Sequence, residues 1–384
     1  MNLVFLATFV LMLFRKKEYT AGKSLSAHAW RQFKRNRLAF SALLFIILVA
    51  LIAILGYLIT PDSSPMANSQ HLELAKQKPG FSVMMLSVKG NREPAHRNII
   101  EKMIYGKIPD HQYIPISGWK VENEIMQVTE YTPVEVKDKK IITFPVSDLA
   151  EDVPEENITK KTFILGTDRY GRDMLSRLMI GARVSLSVGF ISVIISLLIG
   201  ITLGAIAGFF RGWLDNLIVW IINVVWSIPT LLLVIAITFA LGKGFWQVFI
   251  AVGLTMWVEV ARVVRGQILS IREKEFVEAG KALGYKNFRI IFRHVLPNIM
   301  GPVIVISAAN FAAAILIEAG LSFLGIGVQP PMPSWGTMIK ENYAYIILDA
   351  AYLAILPGIA IMLMVLAFMI IGNGLRDALD VKSA

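Results

Sequence analysis

The sequence predicts an all-α integral membrane protein with six transmembrane helices and an α+β-like extracytoplasmic insertion between the first and second of them. Three observations predict this. The 384 residues are 55% hydrophobic and only 17% charged, with a mean hydropathy of +0.60, whereas soluble domains carry about a quarter charged residues. Long uncharged runs recur, the clearest from Leu38 to Thr60. One interval, 61–165, breaks that pattern: residues 61–160 hold 12 Lys+Arg and 15 Asp+Glu with frequent proline.

The first segment, 1–37, reads as cytoplasmic. Met1 to Phe14 is apolar, but 14 residues are too few to cross a hydrocarbon core of about 30 Å as a helix. It lacks the basic lead and small-residue cleavage site of a signal peptide, so an interfacial helix or an N-terminal extension is expected. Arg15 to Arg37 carries eight basic residues against Glu18, which places it inside by the positive-inside rule. The first span, 38–60, is closed by Pro61. Within the insertion, Val134 to Val136 and Ile141 to Phe144 read as brief strands and Pro94 to Lys107 as a helix. Asn157-Ile158-Thr159 matches a glycosylation triplet, a weak signal at this length.

The rest, 166–384, is expected to be a five-helix core with a cytoplasmic loop at 265–301. Val184 to Phe210 carries Gly200, Gly204 and Gly208 on one helix face, the small-residue spacing that lets a neighbouring helix approach closely. Asn216 to Leu241 follows, with a kink expected at Pro229. Then come spans from Phe245 to about Val264, Pro302 to about Ile326, and Ile346 to Ile371, the last interrupted by Pro357-Gly358. Counting from an inside N-terminus puts the loop and the C-terminus in the cytoplasm. Eight basic residues against Glu273, Glu275 and Glu278 between Arg262 and Pro297 agree. Arg169, Arg172, Arg177 and Arg183 disagree, since they fall on the outer side; the bias weakens for long translocated loops.

Several chemistries are excluded. With no cysteine there is no disulfide, thiol nucleophile or thiolate metal site, and the five histidines show no metal-binding spacing, so no metal and no cofactor are expected. Gly22-Lys23-Ser24 lacks the first glycine of a phosphate-binding loop, because Lys17 stands there. No catalytic constellation is present, and the charge of +10 follows the membrane topology rather than a nucleic-acid surface. Three carboxylates fall in or beside spans. Glu259 is expected to pair with Arg262, Asp349 begins the sixth span, and Glu318 is either a packing hydrogen-bond site or part of a transport pathway.

Between the fourth and fifth spans, Phe276 to Pro302 reads as an elbow. A short helix carrying Ala279 and Ala282 stops at Gly284, and a second run from Lys286 to Leu296 is expected to end at Pro297. Here Glu278-Ala279-Gly280-x3-Gly284-x9-His294-x-Leu296-Pro297 resembles the E-A-A-x3-G-x9-I-x-L-P signature of binding-protein-dependent ABC transporter permeases, departing at Gly280 and His294. Leu165-Gly166-Thr167-Asp168-x-x-Gly171-Arg172-Asp173 with Ser176-Arg177, Gly320 to Gly325 with Pro333-Ser334-Trp335-Gly336, and Gly374 to Asp380 are similar to the C-type subunit of the peptide and nickel branch.

That resemblance implies an importer subunit and no enzyme. Glu278, Ala279, Gly280, Gly284, His294, Leu296 and Pro297 would couple it to two ATP-binding cassette ATPases, with a second homologous permease, an extracytoplasmic solute-binding protein and membrane lipid as further partners. Di- and oligopeptides are the expected cargo, with nickel chelates or antimicrobial peptides as alternatives. A stand-alone secondary carrier or a membrane-anchored receptor using 61–160 are the readings from other classes.

Overall fold

The computed structural model describes residues 25–90, 97–133, 140–242 and 244–379. The segment 1–14 and Val134 to Val136 lie outside the described residues. Helices α1 (Leu25–Arg35) and α2 (Arg37–Leu55) meet at Asn36, whose side chain accepts from the Ala39 N–H at 3.1 Å and caps α2. On α2, Leu44, Leu48, Leu51 and Leu55 form an exposed stripe, while Ala39, Ala42 and Ala53 are buried. Small side chains inside and leucines outside suit a helix that packs on protein and meets lipid.

Between α2 and the next long helix the chain folds into a five-stranded antiparallel sheet of order β4-β3-β2-β1-β5. Its strands are β1 (Phe81–Lys89), β2 (His111–Glu122), β3 (Ile125–Glu130), β4 (Ile141–Pro145) and β5 (Ile158–Phe163). The expected strand at Ile141 to Phe144 is β4, and α3 (Ile99–Tyr105) occupies the middle of the expected helix. Asn123 and Glu124 both take positive φ (51° and 58°), as a two-residue hairpin turn between twisted strands requires. Leu86, Ile116, Met126, Val128 and Leu149 fill the sheet's core. The glycosylation triplet is structural instead. Asn157 is fully buried, donates from Nδ2 to the Glu151 and Val153 carbonyls at 2.9 Å each, and accepts from the Glu151 N–H at 2.8 Å.

The helical part contains α4 (Met174–Phe210), α5 (Gly212–Ser227), α6 (Thr230–Leu241), α7 (Phe245–Ile271), α8 (Glu275–Ala282), α9 (Asn287–Ile290), α10 (Leu296–Leu324), α11 (Trp335–Asn342) and α12 (Tyr352–Leu379). Five helical segments among the described residues are long and apolar enough to cross a membrane, or six if the bent α5–α6 pair counts as one. That pair turns through 94° at Ile228-Pro229. Pro229 supplies no N–H and disfavours helical geometry at the residue before it, so the expected kink is a full break.

Helices α4 and α7 lie side by side along the glycine stripe. A Cβ on Gly200 would stand 2.5 Å from Val260 Cβ, one on Gly204 2.6 Å from the Ala261 carbonyl oxygen, and one on Gly208 3.0 Å from that of Arg265. The paired numbers rise together, so the two helices run parallel. Midway along α4 and near the start of α7, Ser192 Oγ donates to the Phe249 carbonyl at 3.0 Å.

Three expected boundaries are corrected. The fifth span does not begin at Pro302; a continuous helical segment runs from Asn287 to Leu324 with Pro302 inside it. Nor does Pro297 end the second run of the elbow. A π-helical turn at Ile291–Val295 immediately precedes it and feeds straight into α10. The wider turn accommodates a residue that has no N–H and whose ring crowds the preceding turn. Asp349 lies ahead of α12 rather than at its start and pairs with Lys78 at 3.0 Å.

Candidate coupling site and the buried ion cluster

The elbow is a short helix with two different faces. On α8, Glu278 and Ala279 are exposed while Val277 and Gly280 are buried. Val277 joins Ile290, Ile291 and Val295 in a core that includes Phe209 of α4 and Val260, Val264 and Ile268 of α7. The inner face of the elbow is therefore seated on the ends of the two helices held by the glycine stripe. Its outer face presents Phe276, Leu283, Phe288 and Phe292, all exposed and apolar. Large exposed apolar side chains clustered on a polar elbow mark an interaction surface.

Gly284 ends α8 at φ +74°. The Tyr285 N–H donates to the Gly280 carbonyl at 3.0 Å and the Gly284 N–H to that of Lys281 at 2.9 Å, the paired closure of a Schellman cap. Tyr285 then organises the turn. His294 stacks on its ring with centroids 6.2 Å apart, and the Arg289 guanidinium lies 4.2 Å from the ring centroid. Asn298 donates to the His294 carbonyl at 2.6 Å, within the turn that carries Leu296 and Pro297. A Cβ added at Gly280 would meet only ordinary contacts, 3.7 Å from Ile290 and Tyr285, so the site has room for the alanine of the family signature. Sequence reasoning missed Val277 and Tyr285, because neither type is distinctive in a basic loop.

The four arginines that conflicted with the charge bias prove to be structural. Asp168 Oδ1 accepts from the Tyr170 and Arg172 N–H groups, and its Oδ2 meets Arg172 Nε at 2.6 Å and Arg177 Nε at 3.6 Å. Glu341 Oε2, on α11, accepts from Arg172 Nη2 at 2.8 Å and Arg177 Nη2 at 3.4 Å. Arg172 Nη1 also donates to Asn68 Oδ1 at 3.1 Å. Arg183 spends its donors on helix-end carbonyls, and Arg169 lies over Tyr170 with 4.5 Å to the ring centroid. Arg172 and Arg177 are buried and paired with carboxylates, while Arg169 and Arg183 are partly buried.

Asp173 closes the same stretch by accepting from the Ser176 N–H at 2.8 Å and capping α4; burial pushes its carboxyl above the usual range despite that bond. Glu318 is fully buried between α4, α10 and the start of α11. It accepts from Ser322 Oγ at 2.7 Å and Ser185 Oγ at 3.4 Å, and Ser334 Oγ lies 3.5 Å from Ser322 Oγ. Glu259 does not pair with Arg262, whose guanidinium lies 3.8 Å from the centroid of the Trp226 ring instead. The carboxylate lines a cleft of about 160 Å³ at the α5–α6 break, with Trp226, Thr230, Thr255 and Met256.

This architecture, a membrane-helix bundle with an exposed elbow, is that of a transport component. Residues 200–383 match the binding-protein-dependent transport system inner membrane component family, and residues 24–79 match the N-terminal TM domain of oligopeptide transport permease C. The dipeptide transport system permease protein DppC of Alkalihalophilus pseudofirmus is 40% identical over 287 residues, which are 71% of this chain and 93% of that protein. The chain belongs to the family of binding-protein-dependent inner-membrane permeases. It is therefore a multi-pass transporter subunit and not an enzyme, with ATPase activity on separate subunits and a substrate-binding protein as a further partner.

Two other relatives extend the comparison. The glutathione transport system permease protein GsiD of Pectobacterium atrosepticum is 41% identical over 57% of this chain and 72% of its own. DppC of Lactococcus lactis is 30% identical over 93% of this chain and 90% of that protein. A solved structure of the MetNI methionine ABC transporter, facing inward, superposes on 54% of this chain and 97% of its own at 19% identity and a TM-score of 0.46.

Proposed function

We propose that this chain is one of two homologous permeases of an ATP-driven importer of di- and oligopeptides, and that it drives alternating access through its elbow. The observation that carries the reading is the two-faced α8. Its outer face offers Glu278, Ala279 and apolar side chains to a cytoplasmic ATPase, while Val277 is locked against α4 and α7. A push on the outer face is thereby delivered to two membrane helices at once. In this reading small residues at 279 and 280 let α8 sit close, a demand alanine at 280 would also meet, Gly284 turns the chain, and His294, Leu296 and Pro297 fix the return into α10. Nucleotide closure in a pair of ATPases supplies the push, and an extracytoplasmic binding protein delivers the cargo.

Six spans fit the packing better than five, and the basic residues of 15–37 and of the elbow favour placing both termini inside. Parallel α4 and α7 require the chain to return across the bilayer between them, a distance of about 30 Å at 1.5 Å per residue, and the α5–α6 pair is the segment available to make that return. The sheet then lies outside, between the first and second spans, facing the binding protein. Peptide cargo is supported by the relatives' names, two dipeptide permeases and one glutathione permease. For Glu318 the enclosed serine contacts favour the packing role over a place in the pathway.

The test is assembly and uptake. Glu278→Ala and Gly284→Pro, compared with the unmutated chain, are expected to lose ATPase co-purification or ATP-driven peptide uptake. Full retention of both by both variants would end the coupling reading. Uptake without any ATPase subunit would instead support a secondary carrier.

A further inference from the structure

The short helix α3 has an exposed apolar surface out of proportion to its length. Ile99 is 73% exposed, Ile100 66% and Tyr105 62%, and Ile104 is exposed as well. The sheet's own core does not use them. Glu101 closes a capping box at the α3 N-terminus, accepting from the Asn98 N–H at 3.0 Å, so the helix is a built element rather than a passing turn.

Its position is set by one side chain. Arg183, from α4, donates Nε to the Ala53 carbonyl at 2.8 Å and Nη2 to that of Ile54 at 3.2 Å, at the end of α2. The same guanidinium donates Nη2 to the Met103 carbonyl at 2.8 Å and Nη1 to that of Ile104 at 3.0 Å, at the end of α3. A cation at two helix C-termini satisfies both sets of free carbonyls. The last turns of α2 and α3 are thus held at one level.

That level is the edge of the bilayer. Helix α2 has 19 residues, about 28 Å, against a hydrocarbon core of about 30 Å, and Arg35 and Arg37 mark its other end. Its exposed leucine stripe continues past the helix into Leu58 and Ile59, also exposed. We infer that α3 lies in the outer lipid interface, with Ile99, Ile100, Ile104 and Tyr105 among the acyl chains and headgroups, and anchors the sheet on the membrane. Lipid is the occupant because the apolar surface continues the one by which α2 meets the bilayer. Isoleucines with an adjoining tyrosine suit an interfacial helix.

The chain has no cysteine, so single spin labels can be placed without background. In the assembled transporter in lipid bilayers, labels at Ile99→Cys, Ile100→Cys and Ile104→Cys are compared with Ile141→Cys on β4, where the native side chain is 64% exposed. At the three α3 positions, collisions with oxygen are expected to exceed those with a water-soluble nickel chelate severalfold, and at position 141 the reverse. Chelate-dominated collisions on α3 would overturn the inference in favour of water. Weak collisions with both reagents would overturn it in favour of a protein partner. Three positions guard against one variant that fails to assemble, and the readout needs no transport, so its failure is separate from that of the importer reading.

Discussion

Glu341 on α11 hydrogen-bonds Arg172 at 2.8 Å across 169 residues of sequence, and this contact ties the end of the sheet region to the last third of the chain. Arg177 shares the same carboxylate oxygen at 3.4 Å, so one glutamate holds two buried cations. Removing it leaves Asp168 as the one carboxylate for two guanidinium groups among the described residues, with Asn68 accepting from Arg172 Nη1 and Arg177 Nη1 already lacking a partner there. Breaking a buried pair by deleting one member costs about 3–5 kcal/mol. Glu341→Ala is expected to destabilise the chain by that order and Glu341→Gln by less, read as thermal unfolding in detergent.

Gly280→Ala is expected to be neutral or stabilising, by up to about 1 kcal/mol, because a helix-interior glycine becomes alanine where a Cβ meets only 3.7 Å contacts. Uptake should be unchanged. A measured loss of ATPase co-purification by this variant would show that the partner needs the bare backbone there.

Gly204→Val places side-chain atoms where a Cβ already lies 2.6 Å from the Ala261 carbonyl oxygen. Backbone cannot yield as a side chain can, so overpacking of at least about 1–3 kcal/mol is expected. Because Val264 touches both the stripe and the core that seats Val277, ATPase co-purification should fall along with the melting temperature. Melting lowered with co-purification intact would separate the two.

Asn157→Ala strands three backbone partners in the sheet region. The stranded groups belong to exposed residues and can turn to water, so each lost bond is expected to cost about 0.5–1.5 kcal/mol and the loss of three to destabilise the sheet region measurably. Intact-mass measurement of the unmutated chain after expression in a glycosylating host should find no glycan at this position.

His71 gives the sheet region an acid sensitivity. Burial, followed by the charge of Lys161, holds its imidazole below the ordinary value. The folded chain thus binds fewer protons than the unfolded one. The stability is fully present above the unfolded value of about 6.5 and declines as pH falls toward the lower folded value. Unfolding followed from pH 7.5 to pH 5 should show that decline, and His71→Gln should flatten it.

The long apolar runs, the Gly284 stop and the change of composition after Pro61 were legible in the sequence because composition and chirality act locally. The strands of the sheet were less so. Phe81–Lys89 is buried almost without alternation, and His111–Glu122 contains Pro115 and Gly118 beside a bulge, which reads as broken chain. The helix through Pro297 ran against the local rule, since the π turn that admits it depends on Ile291 and Val295 being packed in the core with Val277. Glu341 was invisible for a simpler reason: a carboxylate's partner so distant in sequence leaves no spacing to read. A separation of 133 residues likewise hid Ser185 beneath Glu318.

The π turn also decides how a displacement would travel. From Asn287 to Leu324 the chain is one rod of 38 residues, about 57 Å long, with the elbow at one end and the Glu318–Ser322 junction with α11 near the other. The π turn sits beside the elbow, and Pro302 lies further along the same segment. In the proposed coupling, a push on α8 would therefore be applied at one end of this helix, while the contact with α11, which carries Glu341, lies near its other end.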